Sequence, residues 1–465
     1  MKIKCGIDSG ALLQRRENDG CECYVELEYK GAVKSSVGKI ELVDEQNSVF
    51  RLSGIPMGGP YNICFSDDEG TVELKDIYVG DLWLAAGQSN MQGVGHMTAE
   101  DYLIAPEPNV RARYMSDEWK EAHPLLHHLP LSADPVVLRH KGMDAPLEDR
   151  RLPQLPLPAP SRGVGPGYFF VKELYDKTGV PQGILPCGIG GSNLISWLPF
   201  GEDNNYAMSM RYIKKAGGRV RGIFWYQGEA ETNAADSGLF VERMQQLIES
   251  YRNELDDARL PVVQVQIAHD NIYDHVHHPD CDRYWAVIRE LQRNLHKEIP
   301  YLATVFSSDA ELDDCIHLSS DSCKKVGRRA ARSMMALCGQ GGSFAPDFES
   351  LSVETDFFEP TLCNVKIKYK NVEGKLTSEG KPCGFSISLS DDEISSVTHA
   401  GISRVVLNGD DTVTLRTWYT PEQLKGASLW YRRSNGSYCN VVDEGGNAIP
   451  AMGPIKIADY FTNKE

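Results

Sequence analysis

The sequence predicts an α/β fold, a parallel sheet with flanking helices, bracketed by β-rich N- and C-terminal regions. Three observations predict it. Between about residues 79 and 345, short apolar runs alternate with amphipathic helix patterns, as strands covered on both faces do between their crossover helices. Before residue 79, strand patterns recur without a helical run, and after about residue 350 helix patterns disappear. A chain of 465 residues is long enough for such a division, drawn as 1–78, 79–345 and 346–465.

In the first region residues 23–29 alternate polar and apolar, residues 49–52 lead to a Gly58-Gly59-Pro60 turn, and residues 61–65 alternate again before Asp67-Asp68-Glu69-Gly70. Strands at that spacing predict a small β-sandwich. In the second region, residues 81–86, 183–187, 222–226, 262–267 and 302–306 are apolar runs read as buried strands. Phe240, Met244, Leu247, Ile248, Tyr251 and Leu255 fall on one helical face. Another helix pattern begins near Gly167 and stops at Gly179, with Pro181 beyond it. Such alternation calls for parallel strands with right-handed crossovers. Residues 98–166 break the rhythm as a long, proline-rich insertion in which Pro153, Pro156, Pro158 and Pro160 recur. A lid or substrate wall is the expectation there, a bland insertion the alternative. In the third region residues 364–369, 405–407 and 412–415 read as strands.

The composition excludes several function classes. A formal charge of −17 and a pI near 5.2 disfavour nucleic acid and anionic membrane as partners. No stretch approaches the ~18 apolar residues of a membrane span, and the first residues carry no signal-peptide pattern. The 12 cysteines are scattered with no CxxC pair, so reduced thiols and a cytoplasmic setting are expected. The oligomeric state is not legible.

Four segments carry chemistry. Gly87-Gln88-Ser89-Asn90-Met91 follows the strand at 81–86, and the carboxyl ends of parallel strands gather active sites, so Ser89 stands where a nucleophile would be displayed. Met91 occupies the second glycine's place of a GxSxG elbow. The bland reading makes Ser89 a helix N-cap. Asp314-Cys315-Ile316-His317 follows the strand ending near Phe306. A general base needs one ring nitrogen held by an acceptor, and an acid three residues earlier can supply it. Gly190-Gly191-Ser192 and Trp225-Tyr226-Gln227-Gly228-Glu229 each follow an apolar strand. Their glycine N–H groups and the Gln227 amide offer donors for a tetrahedral oxyanion; the bland reading is a tight turn for Gly190-Gly191 and a strand-to-loop junction for Gln227-Gly228-Glu229.

Together these blocks, with Asp76–Trp83 upstream, resemble the sialate O-acetylesterase and acetylxylan-esterase group of the SGNH hydrolases. The likeness extends to Gly58-Gly59-Pro60-Tyr61, Trp197, Leu318 and Ile449-Pro450-Ala451. The resemblance implies a flavodoxin-like catalytic domain and a cofactor-free acyl-enzyme mechanism acting on an acetylated carbohydrate. It implies Ser89 as nucleophile, with Asp314 and His317 as its base system. It implies an oxyanion hole of the Ser89 N–H, Gly191 and Gln227. Gln88, Asn193, Trp197 and Glu229 are candidate substrate contacts, Trp197 being equally readable as core. Ser192-Asn193 stands where many relatives have Thr-Pro, and Ile189 where many have Trp, which bears on acyl and sugar contacts.

No metal is expected. The run from His275 to Asp282 looks metal-like but lacks zinc spacing and reads as a solvated loop. His127-His128 reads as an exposed loop pair. The alternatives to a carbohydrate esterase are an esterase for lipid or aryl esters, and a non-catalytic carbohydrate-binding relative.

Overall fold

The alternating runs near the N-terminus pair as strands because one face of each is apolar. They are β1 (Lys2–Cys5), β2 (Leu12–Arg16), β3 (Gly20–Glu28), β4 (Lys39–Asp44), β5 (Val49–Ser53) and β6 (Gly58–Ser66). In β5, Phe50 and Leu52 point inward and their neighbours are half-buried, the period of two expected for a strand with one covered face. β3 takes β1, β2 and β5 as antiparallel partners, and β5 takes β4. The computed structural model describes residues 1–16, 20–154, 159–271, 280–389 and 401–461. It divides into two units, Met1–Gln227 with Arg243–Val262, and Gly228–Glu242 with Val263–Glu465.

In the first unit the organising strand is β7 (Thr71–Gly87). Its beginning pairs antiparallel with β6, and Tyr78–Gly80 pair parallel with β2. Its last five residues, all buried, lie between two parallel neighbours. The boundary expected at 78/79 therefore falls inside a single strand. The N-terminal strands share β7 with the parallel sheet instead of closing a separate sandwich. Arg15 on β2 forms a two-pronged pair with buried Asp81 on β7, at 2.9 and 3.0 Å, which fixes that junction.

After β7 come the short helix α1 (Ser89–Gln92) and β8 (Val110–Arg113). β8 lies within the 98–166 insertion, so this stretch is not wholly irregular: it adds a strand to the sheet. Next are α2 (Pro166–Thr178), β9 (Gln182–Gly188), α3 (Asn205–Lys215), β10 (Gly222–Tyr226) and α4 (Phe240–Glu254). The order is β8-β9-β7-β10, parallel throughout. α2 starts on Pro166 and stops at Gly179 in the left-handed conformation, φ +66°.

The second unit holds β11 (Val262–Val265), α5 (Asp280–Asn294), β12 (Leu302–Val305) and α6 (Ser320–Leu337), with β11 paired to β12. Its further strands include β13 (Asp347–Thr355), β14 (Cys363–Lys370), β15 (Phe385–Ser388), β16 (Ile402–Leu407), β17 (Thr412–Thr417), β18 (Ser428–Tyr431) and β19 (Met452–Lys456). They form antiparallel sheets in the orders β13-β14-β17-β16 and β15-β18-β19. Val365, Ile367, Val413, Leu415, Phe385 and Leu429 fill the core there. One helix departs from the helix-free expectation: α7 (Pro421–Lys425), whose Thr420 and Gln423 form a reciprocal capping box. None of the 12 cysteines, all among the described residues, is in a disulfide. Among the described residues no helix is long and apolar enough to cross a membrane.

Candidate active site

β7 ends at Gly87 with β9 on one side and β10 on the other. The chain visits β9 first and β10 later, so the end of β7 is a topological switch point, where open α/β sheets open a crevice. Gly87 has φ +139°, and a Cβ there would stand 2.0 Å from the Tyr226 carbonyl oxygen. Only glycine fits that approach. The Gln88 N–H donates to the same carbonyl at 2.9 Å. Ser89 then opens α1 and is half-buried. Gln88 holds the N-cap position, so Ser89 is the first helical residue and not the N-cap.

The glycine pair lies against this serine. A Cβ on Gly190 would come within 3.6 Å of the Ser89 Cβ. Gln92, one turn beyond Ser89, accepts the Gly190 N–H at 2.8 Å through its Oε1. The Ile189 N–H donates to the Gly87 carbonyl at 2.9 Å, and His127 Nε2 accepts the Gly188 N–H at 2.8 Å. Three bonds thus hold the loop that follows β9. They commit the N–H of Gly190, whereas Gly191, at φ +69°, is exposed. Gln227 is fully buried and turns Nε2 toward the Ser192 carbonyl at 3.4 Å.

In the second unit, Asp314 and His317 sit on a turn after β12, closed by a bridge between Leu312 and Leu318. The Asp313 N–H donates to the His317 carbonyl at 2.9 Å. Asp314 Oδ1 accepts the N–H groups of Ile316 and His317 at 2.9 and 2.8 Å. Its Oδ2 lies 2.8 Å from His317 Nδ1. Burial pushes the Asp314 carboxyl up, but the bonds from Ile316 and His317 outweigh this and hold it below the usual carboxylate range. An ionised acceptor on Nδ1 selects the tautomer whose Nε2 carries the lone pair, as a general base requires. Asp314, rather than the neighbouring Asp313 or Glu311, carries the imidazole.

The remaining expected residues are dispersed in role. Trp197 is fully buried, edge-on to Trp225 at 5.2 Å, with Nε1 donating to Ser192 Oγ at 2.9 Å. Its ring faces are committed to packing, which makes it core and not a sugar platform. Asn193 is exposed and caps the turn Leu194–Trp197 through its side chain. Gln88 and Glu229 are buried. His127 and His128, expected in an exposed loop, are both half-buried. Burial first, then the neighbouring His128, lowers the pKa of His127 to about 3, so it is a neutral acceptor for Gly188. Gln92 escaped the sequence reading, and His127 was placed there in an exposed loop pair. Leu125, Leu126 and Leu129 around His127 were the available sign that it is not a solvent residue. His275, His277 and His278 lie outside the described residues. Among the described residues no group of three potential ligands could hold a metal ion.

A family model described as "Carbohydrate esterase, sialic acid-specific acetylesterase" matches residues 79–336, more than half of the chain. An Arabidopsis thaliana protein named "Probable carbohydrate esterase" is 25% identical over 281 residues, 55% of this chain and 90% of that relative. The sialate O-acetylesterase of Homo sapiens is 26% identical over 231 residues, 42% of this chain and 40% of its own length. A crystal structure of a carbohydrate acetylesterase from Xanthomonas citri covers 97% of this chain and 99% of its own, with a TM-score of 0.71 and 20% identity, which shows a shared fold.

Proposed function

We propose, for a chain that belongs to the carbohydrate esterase, sialic acid-specific acetylesterase family, that Ser89, His317 and Asp314 form its catalytic triad. The chain is a carbohydrate O-acetylesterase, and its chemistry is the hydrolysis of acetyl esters on sugar hydroxyls. In the proposed cycle His317 Nε2 takes the Ser89 proton as Oγ attacks the acetyl carbonyl. The tetrahedral intermediate collapses, His317 returns that proton to the departing sugar oxygen, and acetyl-Ser89 remains. Water, deprotonated by His317, then attacks the acetyl group and acetate leaves as Ser89 is reprotonated. The Ser89 N–H, the Gly191 N–H and the Gln227 amide would donate to the oxyanion. Gly191 is favoured over Gly190 because the latter's N–H is held by Gln92. No step calls for a metal or a cofactor.

The observation that carries the reading is the 2.8 Å bond from Asp314 to His317 Nδ1, on a turn that follows a sheet strand. The switch-point position of Ser89 supports it, and the order β9-β7-β10 accords with a flavodoxin-like SGNH arrangement. Asn193, exposed beside the glycine pair, is the substrate contact the geometry favours. Buried Gln88 and Glu229 serve instead to orient their loops. The test is turnover of 4-nitrophenyl acetate by wild type, Ser89→Ala and His317→Ala. A loss of about 10⁴-fold or more in kcat for folded variants is expected. Near-normal turnover by either variant sinks the assignment.

A further inference from the structure

The second unit contains a polar cavity of about 610 Å³ whose wall includes Asp314, within the size range of small-molecule sites. We infer that this cavity is a subsite for an uncharged sugar residue of the glycan that bears the acetyl ester, with Tyr438 as its aromatic wall. The inference rests on the proposed role of Asp314 and His317, since it is that pair which sets the cavity beside the chemistry.

The cavity is built on a loop, residues 432–440, that is clamped from beneath. Arg432 is buried and donates through Nε and Nη2 to the Ser308 carbonyl at 2.9 and 2.6 Å. Arg289, also buried, donates through Nε and Nη2 to the Ala268 carbonyl at 2.9 and 2.6 Å, and reaches Asn435 Oδ1. Ala268 and Ser308 stand just past the ends of β11 and β12. The two guanidiniums therefore tie the loop to the strand ends from which the Asp314–His317 turn departs. At the loop's other end Asn440 donates to the carbonyls of Glu379 and Lys381 at 2.7 and 3.0 Å. Burying two guanidiniums close together is costly; burial, then the charge of Arg432, lowers the pKa of Arg289 to about 9. That cost is offset by holding one loop in one shape. On this rigid loop Tyr438 is 66% exposed and lines the cavity. An exposed aromatic face on a fixed loop, next to polar groups, suits the apolar face and hydroxyl rim of a pyranose.

Charge decides the class of sugar. The lining carries Asp309, Glu311, Asp314 and Glu379 against Lys325 and Arg432, and Asp309 is already met by Arg329 from behind at 2.7 and 2.8 Å. Arg432 is already engaged, and Lys325 stands at the edge of the Asp309 pair. Lys325 pairs with Asp309 at 3.7 Å, and the Arg432 donors go to the carbonyls of Ser308 and Asn435. A ligand carboxylate would face Glu311, Asp314 and Glu379, with Lys325 alone among these side chains to offset them. Hydroxyls find Ser437, Asn271 and His269 on the wall. His269 Nδ1 is buried without a hydrogen-bond partner among the described residues. Burial, then Arg432 and Arg289, lowers the His269 pKa to about 3, so its ring is neutral and suited to a hydroxyl.

The experiment compares wild type, Tyr438→Ala and Tyr438→Phe on three probes: acetylated neutral xylo- and manno-oligosaccharides, O-acetylated sialic acid, and 4-nitrophenyl acetate. Wild type is expected to prefer the neutral oligosaccharides to the sialic acid in kcat/KM. Tyr438→Ala should lower the ratio of kcat/KM on oligosaccharide to that on 4-nitrophenyl acetate by about tenfold, chiefly through KM, and Tyr438→Phe should keep most of it. An unchanged ratio in Tyr438→Ala, or a wild-type preference for the sialic acid, overturns the inference. Absence of turnover on 4-nitrophenyl acetate by wild type would instead strike the proposed triad, so the two failures are distinguishable.

Discussion

Replacing Asp314 by Asn isolates what the acid does, because the oxygen nearer the imidazole is the one that an amide nitrogen would replace. Oδ1 accepts the N–H groups of Ile316 and His317 at 2.9 and 2.8 Å, which shapes the turn, and also lies 3.0 Å from His317 Nδ1, while Oδ2 meets Nδ1 at 2.8 Å. An Asn can keep its oxygen on the two backbone donors. Its amide nitrogen then faces Nδ1 as a donor, and the ring is driven to the tautomer that carries hydrogen on Nε2. That tautomer cannot accept the Ser89 proton. In a fully buried triad this error costs about 10⁴-fold in kcat. Here the side chains of His317 and Asp314 are 21% and 36% exposed, so water can partly replace the acceptor. We expect a loss of about 10²–10⁴-fold, or roughly 2.7–5.5 kcal/mol of barrier. KM should change little, and stability should fall by less than about 1 kcal/mol because the turn is kept. The assay is kcat/KM on 4-nitrophenyl acetate with a melting curve alongside, repeated in a Ser89→Ala background, where the second substitution should cost almost nothing further. Activity within threefold of wild type would refute the reasoning, as would a crippled Asp313→Ala beside a normal Asp314→Ala.

Trp197→Ala should destabilise the fold by about 3–5 kcal/mol, because the indole is fully buried against Trp225, and denaturant unfolding reads this directly. A raised KM with unchanged stability would return Trp197 to the substrate. His127 titrates at 6.5 when unfolded and at about 3 when folded, so between these values the unfolded chain binds more protons. Its contribution to stability is complete above pH 6.5 and declines as pH falls toward 3. Melting temperatures of His127→Gln, which can still accept the Gly188 N–H, should therefore fall less steeply over that window; parallel profiles would contradict this. Activity should survive exhaustive chelation, since the proposed cycle runs on side chains and backbone donors alone. Loss in EDTA with recovery by one divalent ion would point to the run from His275 to Asp282.

The parts of the fold that were legible are those whose local pattern and tertiary role agree. Residues 81–86 read as a doubly covered strand because they are one, and the helix pattern ending at Gly179 carried its own stop signal. The division at 78/79 was read from a change of rhythm. A single strand can change partners midway without any signal in its own residues, which is what β7 does. The helix α7 was missed although Thr420 and Gln423 have capping-box spacing, because five residues show too little periodicity. At the site, Asp314 and His317 were legible because their contact is local. The bonds from Gln92 to Gly190 and from His127 to Gly188 span 98 and 61 residues, and sequence spacing is silent on pairings of that range. Trp197 could be read either way until its burial was known.

The central claim is that Ser89 carries the acyl group, and the most direct measurement is to trap it. Wild-type enzyme is mixed with 4-nitrophenyl acetate, quenched in acid within the first turnovers, digested and mapped by peptide mass. The account predicts a transient acetyl group on Ser89 that is absent from Ser89→Ala and that accumulates in step with a burst of 4-nitrophenol. A burst accompanied by acetyl on another residue, or steady turnover with an unmodified Ser89 peptide after treatment with a serine-directed fluorophosphonate that leaves activity intact, would contradict it.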